Sequence, residues 1–178
     1  MTSEPVLGWV ILAILALHRV AEVFVDAANT RRLEARGGVL VRDDGFGAML
    51  AFHVMWFAGL LAERAVLGAR IPSANLALPL VGALLVVEAL RAWVLGTLGR
   101  RFTVRVVVVP GERPITRGPY RFTRHPGYVV VVAEVLLVPL LLGCWRTALV
   151  GSLLHAPVLG RRVRREEAAW ARLAPARP

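Results

Sequence analysis

Five long apolar blocks constrain the fold of this 178-residue chain more than any other feature. They lie at about 7–25, 46–71, 76–98, 129–142 and 145–159. The first three approach or exceed the roughly 20 residues that a helix needs to cross a hydrocarbon core. Hydrophobic residues make up 57% of the chain and the mean hydropathy is +0.61, more than a typical soluble domain carries. The sequence therefore predicts an all-α membrane protein of about five transmembrane helices, forming one domain over 1–178.

The last two blocks are short, and the segment 143–146 between them predicts a tight helical hairpin. At 1.5 Å per residue, the fourteen residues of 129–142 cover roughly 21 Å, less than the core of a bilayer. If the turn reaches one interface, the other ends of both helices lie below the opposite headgroups. A site at those ends suits a substrate with an apolar tail and a polar reacting group.

Arginine placement predicts the orientation of these helices. All 22 cations are arginines, and the formal net charge is +10. Three of them, Arg64, Arg70 and Arg146, fall on one set of alternate connections, and the other 19 fall on the opposite set. The positive-inside rule then puts the N-terminus outside and the C-terminus in the cytoplasm, with a cytoplasmic connection at 99–128 and a cytoplasmic tail at 160–178. Because the arginines border apolar blocks, membrane lipids rather than nucleic acid are their expected partners.

Several other classes of protein and site are disfavoured. The residues before the first block contain no arginine or lysine, so the block is predicted to be a retained span rather than a signal peptide. Cys144 is the only cysteine, which excludes an intrachain disulfide, and no Cys/His spacing predicts a metal site. His53 and His155 are interpreted as interior hydrogen-bonding residues rather than metal ligands.

The polar segment 118–128, directly before the fourth block, is the strongest functional signal. Pro119 and Pro126 fix φ and disfavour helix at Gly118 and His125, which leaves backbone groups free to bind a ligand. Its other charged and aromatic residues are Tyr120, Arg121, Phe122, Arg124 and Tyr128. A ligand with an aromatic base and a carboxylate would match them. The alternative is an interfacial loop whose arginines contact headgroups, whose rings lie in the aromatic belt and whose proline marks the start of the next helix.

A second charged segment, 161–167, follows the fifth block. Arg162 and Glu166 are four residues apart and share one helix face, so they can hold the polar head of a substrate at the mouth of a pocket. The alternative is a solvated juxtamembrane helix, whose surface ion pairs contribute only roughly 0.3–0.5 kcal/mol each.

Ionisable residues also occur inside the apolar blocks, where they tend to face the interior of a helix bundle. Arg19 and Glu22 are three residues apart, as are Glu88 and Arg91, so each pair can form within its own helix. Glu134 has no basic residue three or four positions away. We therefore expect it to orient an arginine from a neighbouring segment.

The segment 101–116 lacks the periodicity of a membrane helix. Its four successive valines, 106–109, are β-branched, and Pro110-Gly111 is a turn signal. This pattern predicts an extended segment and a turn lying over the cytoplasmic face. The segment has too few partners to predict a sheet.

The order of these motifs resembles the isoprenylcysteine carboxyl methyltransferase family of integral membrane enzymes. Arg124-His125-Pro126-x-Tyr128 stands before the apolar hairpin, and Arg162-x-x-x-Glu166-Glu167 stands after it. Further segments are similar to a bacterial branch of that family, namely Arg19-x-x-Glu22, Ala35-Arg36-Gly37-Gly38, Arg91-x-Trp93, Thr97-Leu98-Gly99 and Arg105-Val106 ahead of Val109-Pro110-Gly111. The chain departs from the pattern at His155, where the branch often has asparagine, and at Trp170, where leucine is common.

The resemblance implies a methyltransferase of the bacterial inner membrane that uses S-adenosylmethionine. It implies a lipophilic acceptor, either isoprenylcysteine-like or a long-chain polyketide such as an alkylpyrone, methylated on a carboxylate or an acidic hydroxyl. Arg162 and Glu166 are the predicted catalytic residues. The predicted cofactor-binding residues are Arg105, Val109, Gly118, Tyr120, Arg124, His125, Pro126, Tyr128 and Glu134. The cofactor is expected to enter from the cytoplasm and the acceptor from the bilayer.

Two other functions fit parts of the sequence. An NADPH-dependent membrane reductase could share a related hairpin architecture, but the chain has no G-x-G-x-x-G motif and no separate dinucleotide-binding domain. A small transporter or scaffold would also be rich in apolar helices. Transporters often contain internal repeats, and none is visible here.

Overall fold

The computed structural model describes residues 3–42 and 44–173, and helices dominate this part of the chain. The helices are α1 Ser3–Glu34, α2 Phe46–Ala65, α3 Ala74–Leu98, α4 Pro126–Leu141 and α5 Trp145–Leu173. The single-turn 3₁₀ helices are Gly99–Arg101 and Gly118–Arg121, and the two short strands are β1 Val39–Leu40 and β2 Val107–Val108. The predicted all-α fold class is confirmed.

Three of the helices are long and apolar enough to cross a membrane, and they carry the segments Val6–Glu34, Phe46–Ala65 and Ala74–Arg101. α4 is a shorter apolar helix. Large apolar side chains on the long helices point away from the bundle. Phe24 and Val86, for example, are both 71% exposed. A lipid environment covers such surfaces, so the described helices are those of an integral membrane protein.

Two helix ends illustrate how glycine sets the length of a span. α1 continues beyond its predicted apolar block of 7–25 and ends at Glu34, where Gly37 adopts a φ of 82° and the N–H of Gly38 donates to the carbonyl of Leu33 at 2.8 Å. α2 ends at Ala65, six residues before the end of its predicted block at 71. The chain leaves the helix there with Gly68 at a φ of 68°.

The last two helices differ from their predicted blocks. α4 begins at Pro126 rather than at 129, so Tyr128 lies in its first turn instead of in the preceding connection. α5 does not end with its apolar part at 159 but continues as one helix to Leu173. The predicted tail is therefore helical over 160–173, and its last residues, 174–178, lie outside the described part of the chain.

The apolar core lies where α2, α4 and α5 meet. Its centre includes Phe52, Trp56 and Leu60 of α2. Pro139 lies inside α4 and has no N–H, so the carbonyl of Val135 lacks its usual partner within the helix. The indole N–H of Trp56 donates to that carbonyl at 3.2 Å. A proline in one helix thus creates the acceptor that fixes the neighbouring helix.

The turn between α4 and α5 is held by two buried residues at the end of α2. Glu63 accepts hydrogen bonds from the backbone N–H groups of Arg146 and Thr147, at 3.1 and 2.8 Å, at the free N-terminus of α5. Arg64 Nη1 donates to the carbonyl of Leu142 at 3.0 Å, just beyond the last turn of α4. The two residues therefore satisfy backbone groups of both helices of the hairpin.

The three connections that were predicted to be cytoplasmic meet at the opposite end of the bundle. β1 and β2 pair in antiparallel fashion, with Val39 opposite Val108 and Leu40 opposite Val107. The expectation of an isolated extended segment was therefore incomplete. Its partner is a two-residue strand that directly follows the turn after α1, and the segments before α2 and after α3 are joined there.

We expect the N-terminus to lie outside and the C-terminus in the cytoplasm, because the arginine-rich connections share one end of the bundle. Reporter fusions at both termini measure this orientation, with a fusion after Arg70 as an internal marker of the outer side. A cytoplasmic N-terminus together with a cytoplasmic C-terminus would contradict the five-span arrangement.

Candidate functional site

The two charged segments found in the sequence meet at Tyr128. The hydroxyl of Tyr128 donates to Glu166 Oε2 at 2.5 Å and accepts from Arg162 Nε at 3.0 Å. Arg162 is buried, with 5% of its surface exposed, whereas Glu166 is half-buried. The prediction that Arg162 and Glu166 share a helix face is confirmed, since both reach the same phenol.

A second set of contacts surrounds this group. His125 directly precedes the first residue of α4, and its ring stacks on that of Tyr128 at 5.3 Å between centroids. His125 Nε2 lies 3.3 Å from Glu167 Oε1, and Arg124 Nη1 lies 3.6 Å from the same oxygen. His125 Nδ1 is 3.9 Å from Glu166. The turn before α4 therefore faces both glutamates of α5.

Arg162 also contacts two other segments, the one before α2 and the one after α3. Its Nη1 donates to the backbone carbonyl of Asp44 at 3.3 Å, and its Nη2 donates to the carbonyl of Val104. The Asp44 carboxylate lies 3.9 Å from Arg162 Nη1. Asp44 Oδ2 also accepts from the N–H of Val106 at 3.0 Å and from Arg105 Nε at 3.4 Å. A planar guanidinium with its five donors suits this spread of acceptors.

Sequence reasoning missed Asp44, which is only 1% exposed. The available signal was the pair Asp44-Gly45 just before an apolar block, a pattern typical of a helix start. Asp44 Oδ1 indeed accepts from the N–H of Phe46 at 2.9 Å, and Gly45 has a φ of 81°. That signal marks the beginning of α2. It contains nothing about Arg162, which lies 118 positions away.

We expect Asp44→Asn to lower the free energy of unfolding by about 1.5–3 kcal/mol, the range for hydrogen bonds to a charged group. The amide keeps an oxygen for Phe46 but loses the charge that faces Arg105 and Arg162. Thermal unfolding in detergent measures the change. Glu34→Gln, at an exposed position of α1, is the control and should change stability by less than about 0.5 kcal/mol. Equal stability of both variants would show that Asp44 does not hold the arginines.

Of the other predicted residues of the connection, Arg105 interacts with this group through Asp44 and Tyr120 through the charge of Glu166. Arg105 stacks over the ring of Phe46 at 5.4 Å, and Val109 and Pro126 are buried. Gly118 has a φ of 61° and packs so closely on α3 that a Cβ would lie 2.5 Å from Thr97 Oγ1. Burial and, second, the nearby Glu166 carboxylate raise the pKa of Tyr120 to about 12. Its hydroxyl therefore remains a hydrogen-bond donor at neutral pH.

Glu134, predicted to bind the cofactor, makes its contacts elsewhere. Glu134 Oε2 lies 2.5 Å from Arg19 Nη2, and the carboxylate also accepts from Arg91. Glu22 bridges the same two arginines, at 2.7 Å from Arg19 Nη1. These four residues form a charge ring, Arg19–Glu22–Arg91–Glu134, that joins α1, α3 and α4. The expectation that Glu134 orients an arginine of another segment is confirmed, since its ion pairs are with Arg19 and Arg91.

A groove of about 220 Å³ opens between α1 and α3 beside the charge ring. Its lining residues are His18, Ala21, Glu22, Val25, Leu95, Gly99 and Phe102. The walls are mainly apolar, and the Glu22 carboxylate of the charge ring stands at one side. The groove thus places apolar surface next to a polar group within the bundle.

Comparison with known proteins covers both halves of the site. Residues 80–172 match the family model described as the isoprenylcysteine carboxyl methyltransferase family. A Bacillus subtilis (strain 168) relative, named uncharacterized protein YpbQ, is 32% identical over 161 residues, which are 90% of this chain and 95% of the relative. No solved structure matches the chain. The range 80–172, which matches the family model, contains Tyr128, Arg162 and Glu166, whereas Asp44 lies before it.

Proposed function

The chain belongs to the isoprenylcysteine carboxyl methyltransferase family, and on that premise we propose that it transfers a methyl group from S-adenosylmethionine to a lipophilic acceptor. The reacting group is a carboxylate or an acidic hydroxyl. The acceptor is isoprenylcysteine-like or a long-chain polyketide such as an alkylpyrone. One observation carries the proposal: the hydroxyl of Tyr128 joins the turn before α4 to Arg162 and Glu166 of α5.

The chemistry of the surrounding side chains fits S-adenosylmethionine. The cofactor has a carboxylate, an ammonium group and an adenine ring, and when bound it supplies a methyl group on a positively charged sulfur. Arg124 and His125 are suitable partners for the carboxylate, and Glu166 and Glu167 for the ammonium group. The stacked rings of His125 and Tyr128 offer an aromatic surface for the adenine.

The protein's own contribution is mainly to orient the reactants. A carboxylate or acidic enol is already an adequate nucleophile, so little base catalysis is required. The rate gain comes from aligning the acceptor oxygen with the methyl group and from excluding water. Arg162 is suited to fix this geometry because Tyr128, Asp44 and Val104 all accept hydrogen bonds from its guanidinium.

The environment of the site supports a lipophilic acceptor. Tyr128 lies in the first turn of the short apolar helix α4, directly before the exposed apolar side chains of Val129 and Val132. An acceptor with an apolar tail can therefore keep that tail in lipid while its polar group reaches the cluster around Tyr128. The groove between α1 and α3 provides further apolar surface.

We expect the purified protein, in detergent or nanodiscs, to bind S-adenosylmethionine and not NADPH. Isothermal titration calorimetry with each compound measures this directly. The Tyr128→Phe variant tests whether binding occurs at this site. It keeps the ring but removes the hydroxyl that joins Arg162 to Glu166, so its affinity for S-adenosylmethionine should fall. NADPH binding without S-adenosylmethionine binding would favour the reductase, and binding of neither would favour a transporter or scaffold.

A further inference from the structure

Two polar atoms on α5 are buried without a hydrogen-bond partner. They are His155 Nε2 and Ser152 Oγ, and in the described part of the chain the only other such side-chain atom is Arg64 Nε. Arg64 still donates to Leu142 through another nitrogen, whereas His155 is only 2% exposed and its Nε2 stays unpartnered. An unsatisfied buried donor or acceptor destabilises a fold, so native proteins usually provide it with a partner.

These two atoms lie below the candidate site on the same helix. Arg162 and Glu166 follow His155 by seven and eleven residues, so at 100° per residue each lies within about 20° of His155 around the helix axis, on opposite sides of it. His155 is roughly 10 Å from Arg162 along that axis. Ser152 is three residues further and lies one turn deeper on the adjoining face. His155 is thus the next buried polar side chain on the α5 face that carries the site.

The surroundings of His155 are uncharged. The ring of Phe52 lies 4.8 Å from that of His155, and the ring of His53 lies 6.2 Å away and nearly perpendicular. His53 Nδ1 is 2.8 Å from the carbonyl of Met49, which fixes the proton on that nitrogen. No ion pair joins His155 to an acidic or basic side chain among the described residues. Such a site suits a polar group without charge, since an ion would lack a counterion there.

We propose that His155 and Ser152 form a subsite that binds an uncharged oxygen of the methyl acceptor, either a hydroxyl or a carbonyl group separate from the oxygen that is methylated. The proposal rests on the proposed function and narrows it. It favours acceptors with at least two oxygen groups on a lipophilic body over acceptors whose only polar group is the one that reacts. An imidazole and a hydroxyl can each donate or accept, so both types of oxygen can be bound.

The test measures acceptor binding without cofactor, so that it does not depend on methyl transfer. The probes are a long-chain alkylphenol and the alkylresorcinol with the same chain, which differ by one hydroxyl. We expect the wild-type protein to bind the resorcinol about tenfold more tightly, the equivalent of one well-formed hydrogen bond. His155→Phe and Ser152→Ala should each reduce this preference to near unity. Leu154→Phe, on the lipid-facing side of the same helix, is the control and should keep it.

Melting temperature in the absence of probe separates this role from a structural one. If the two atoms serve a ligand, replacing them by apolar groups of similar shape should leave the melting temperature unchanged or raise it. A lower melting temperature with an unchanged resorcinol preference would show that they bind an internal water instead and would overturn the proposal. A wild-type protein without any preference would overturn it as well. Failure to bind S-adenosylmethionine would reject the proposed function, whatever the two probes show.

Discussion

Glu166→Gln is expected to abolish most methyl transfer, by about 100-fold or more, while the fold remains intact. Glutamine has nearly the same size and can still accept from the hydroxyl of Tyr128. It lacks the negative charge that, in our proposal, binds a cationic group of the cofactor. The measurement is methyl transfer to a lipid-like acceptor in nanodiscs, with the melting temperature determined in parallel.

Arg162→Lys tests the same site through geometry rather than charge. Lysine keeps the positive charge but has one nitrogen, which cannot reach Tyr128, Asp44 and Val104 together as the guanidinium does. We expect a loss of activity similar to that of Glu166→Gln.

Glu167→Gln is the matched control for both variants. Glu167 is 44% exposed at its side chain and points about 100° away from Glu166 on the same helix. Its contacts with Arg124 and His125 should make it matter less than Glu166. Loss of activity in Glu167→Gln with a harmless Glu166→Gln would reverse the assignment of these two glutamates. No effect of any of the three changes would favour a solvated membrane-surface helix.

Arg91→Met is expected to have the largest effect on stability, a loss of about 3–5 kcal/mol. Arg91 contacts both carboxylates of the charge ring and is 9% exposed at its side chain. Its removal leaves the buried Glu134 and the half-buried Glu22 with Arg19 as their remaining partner in the ring. Thermal or denaturant unfolding in detergent, with the intact protein as reference, gives the difference.

Two further variants decide whether the cost comes from an unpaired buried charge. The double variant Arg91→Met/Glu134→Leu removes one charge of each sign and should recover much of the lost stability. Arg36→Met breaks a more exposed ion pair, in which Arg36 Nη2 lies 2.5 Å from Glu112, and should cost less than about 1 kcal/mol. A double variant as unstable as Arg91→Met would indicate that packing, rather than charge balance, is what the ring provides.

Sequence patterns predicted the features of this fold that depend on local order. Hydropathy identified the helices, and the isolated position of Glu134 in its block predicted a partner from another helix. The spacing of Arg162 and Glu166 predicted a shared face, and both side chains contact Tyr128. Each of these inferences needs only the helical period or the cost of burying a charge in an apolar environment.

Features that depend on distant pairing could not be derived in this way. Asp44 looks like a helix cap in the sequence, and its contact with Arg162 exists only because the segments before α2 and after α3 meet beside α5. The partner of the Val107–Val108 strand is likewise a two-residue segment with no pattern of its own. The start of α4 at Pro126 is a different case, because it needs no distant pairing: a proline that marks the helix start belonged to the alternative interpretation of this segment.

Glu63 and Arg64 hold the α4–α5 turn at the end of the bundle remote from Tyr128. The two helices are therefore fixed to each other at the turn, and their other ends can move relative to each other by rotation about it. α4 has 16 residues and is therefore about 24 Å long. A rotation of about 5° at the turn moves the other end of such a helix by about 2 Å. Tyr128 and Glu166, which are hydrogen-bonded to each other, lie on the parts of α4 and α5 that are remote from the turn. Separating these two side chains enough to admit a ligand thus requires only a small change in the angle between α4 and α5. The contacts of Glu63 and Arg64 with the turn can stay in place.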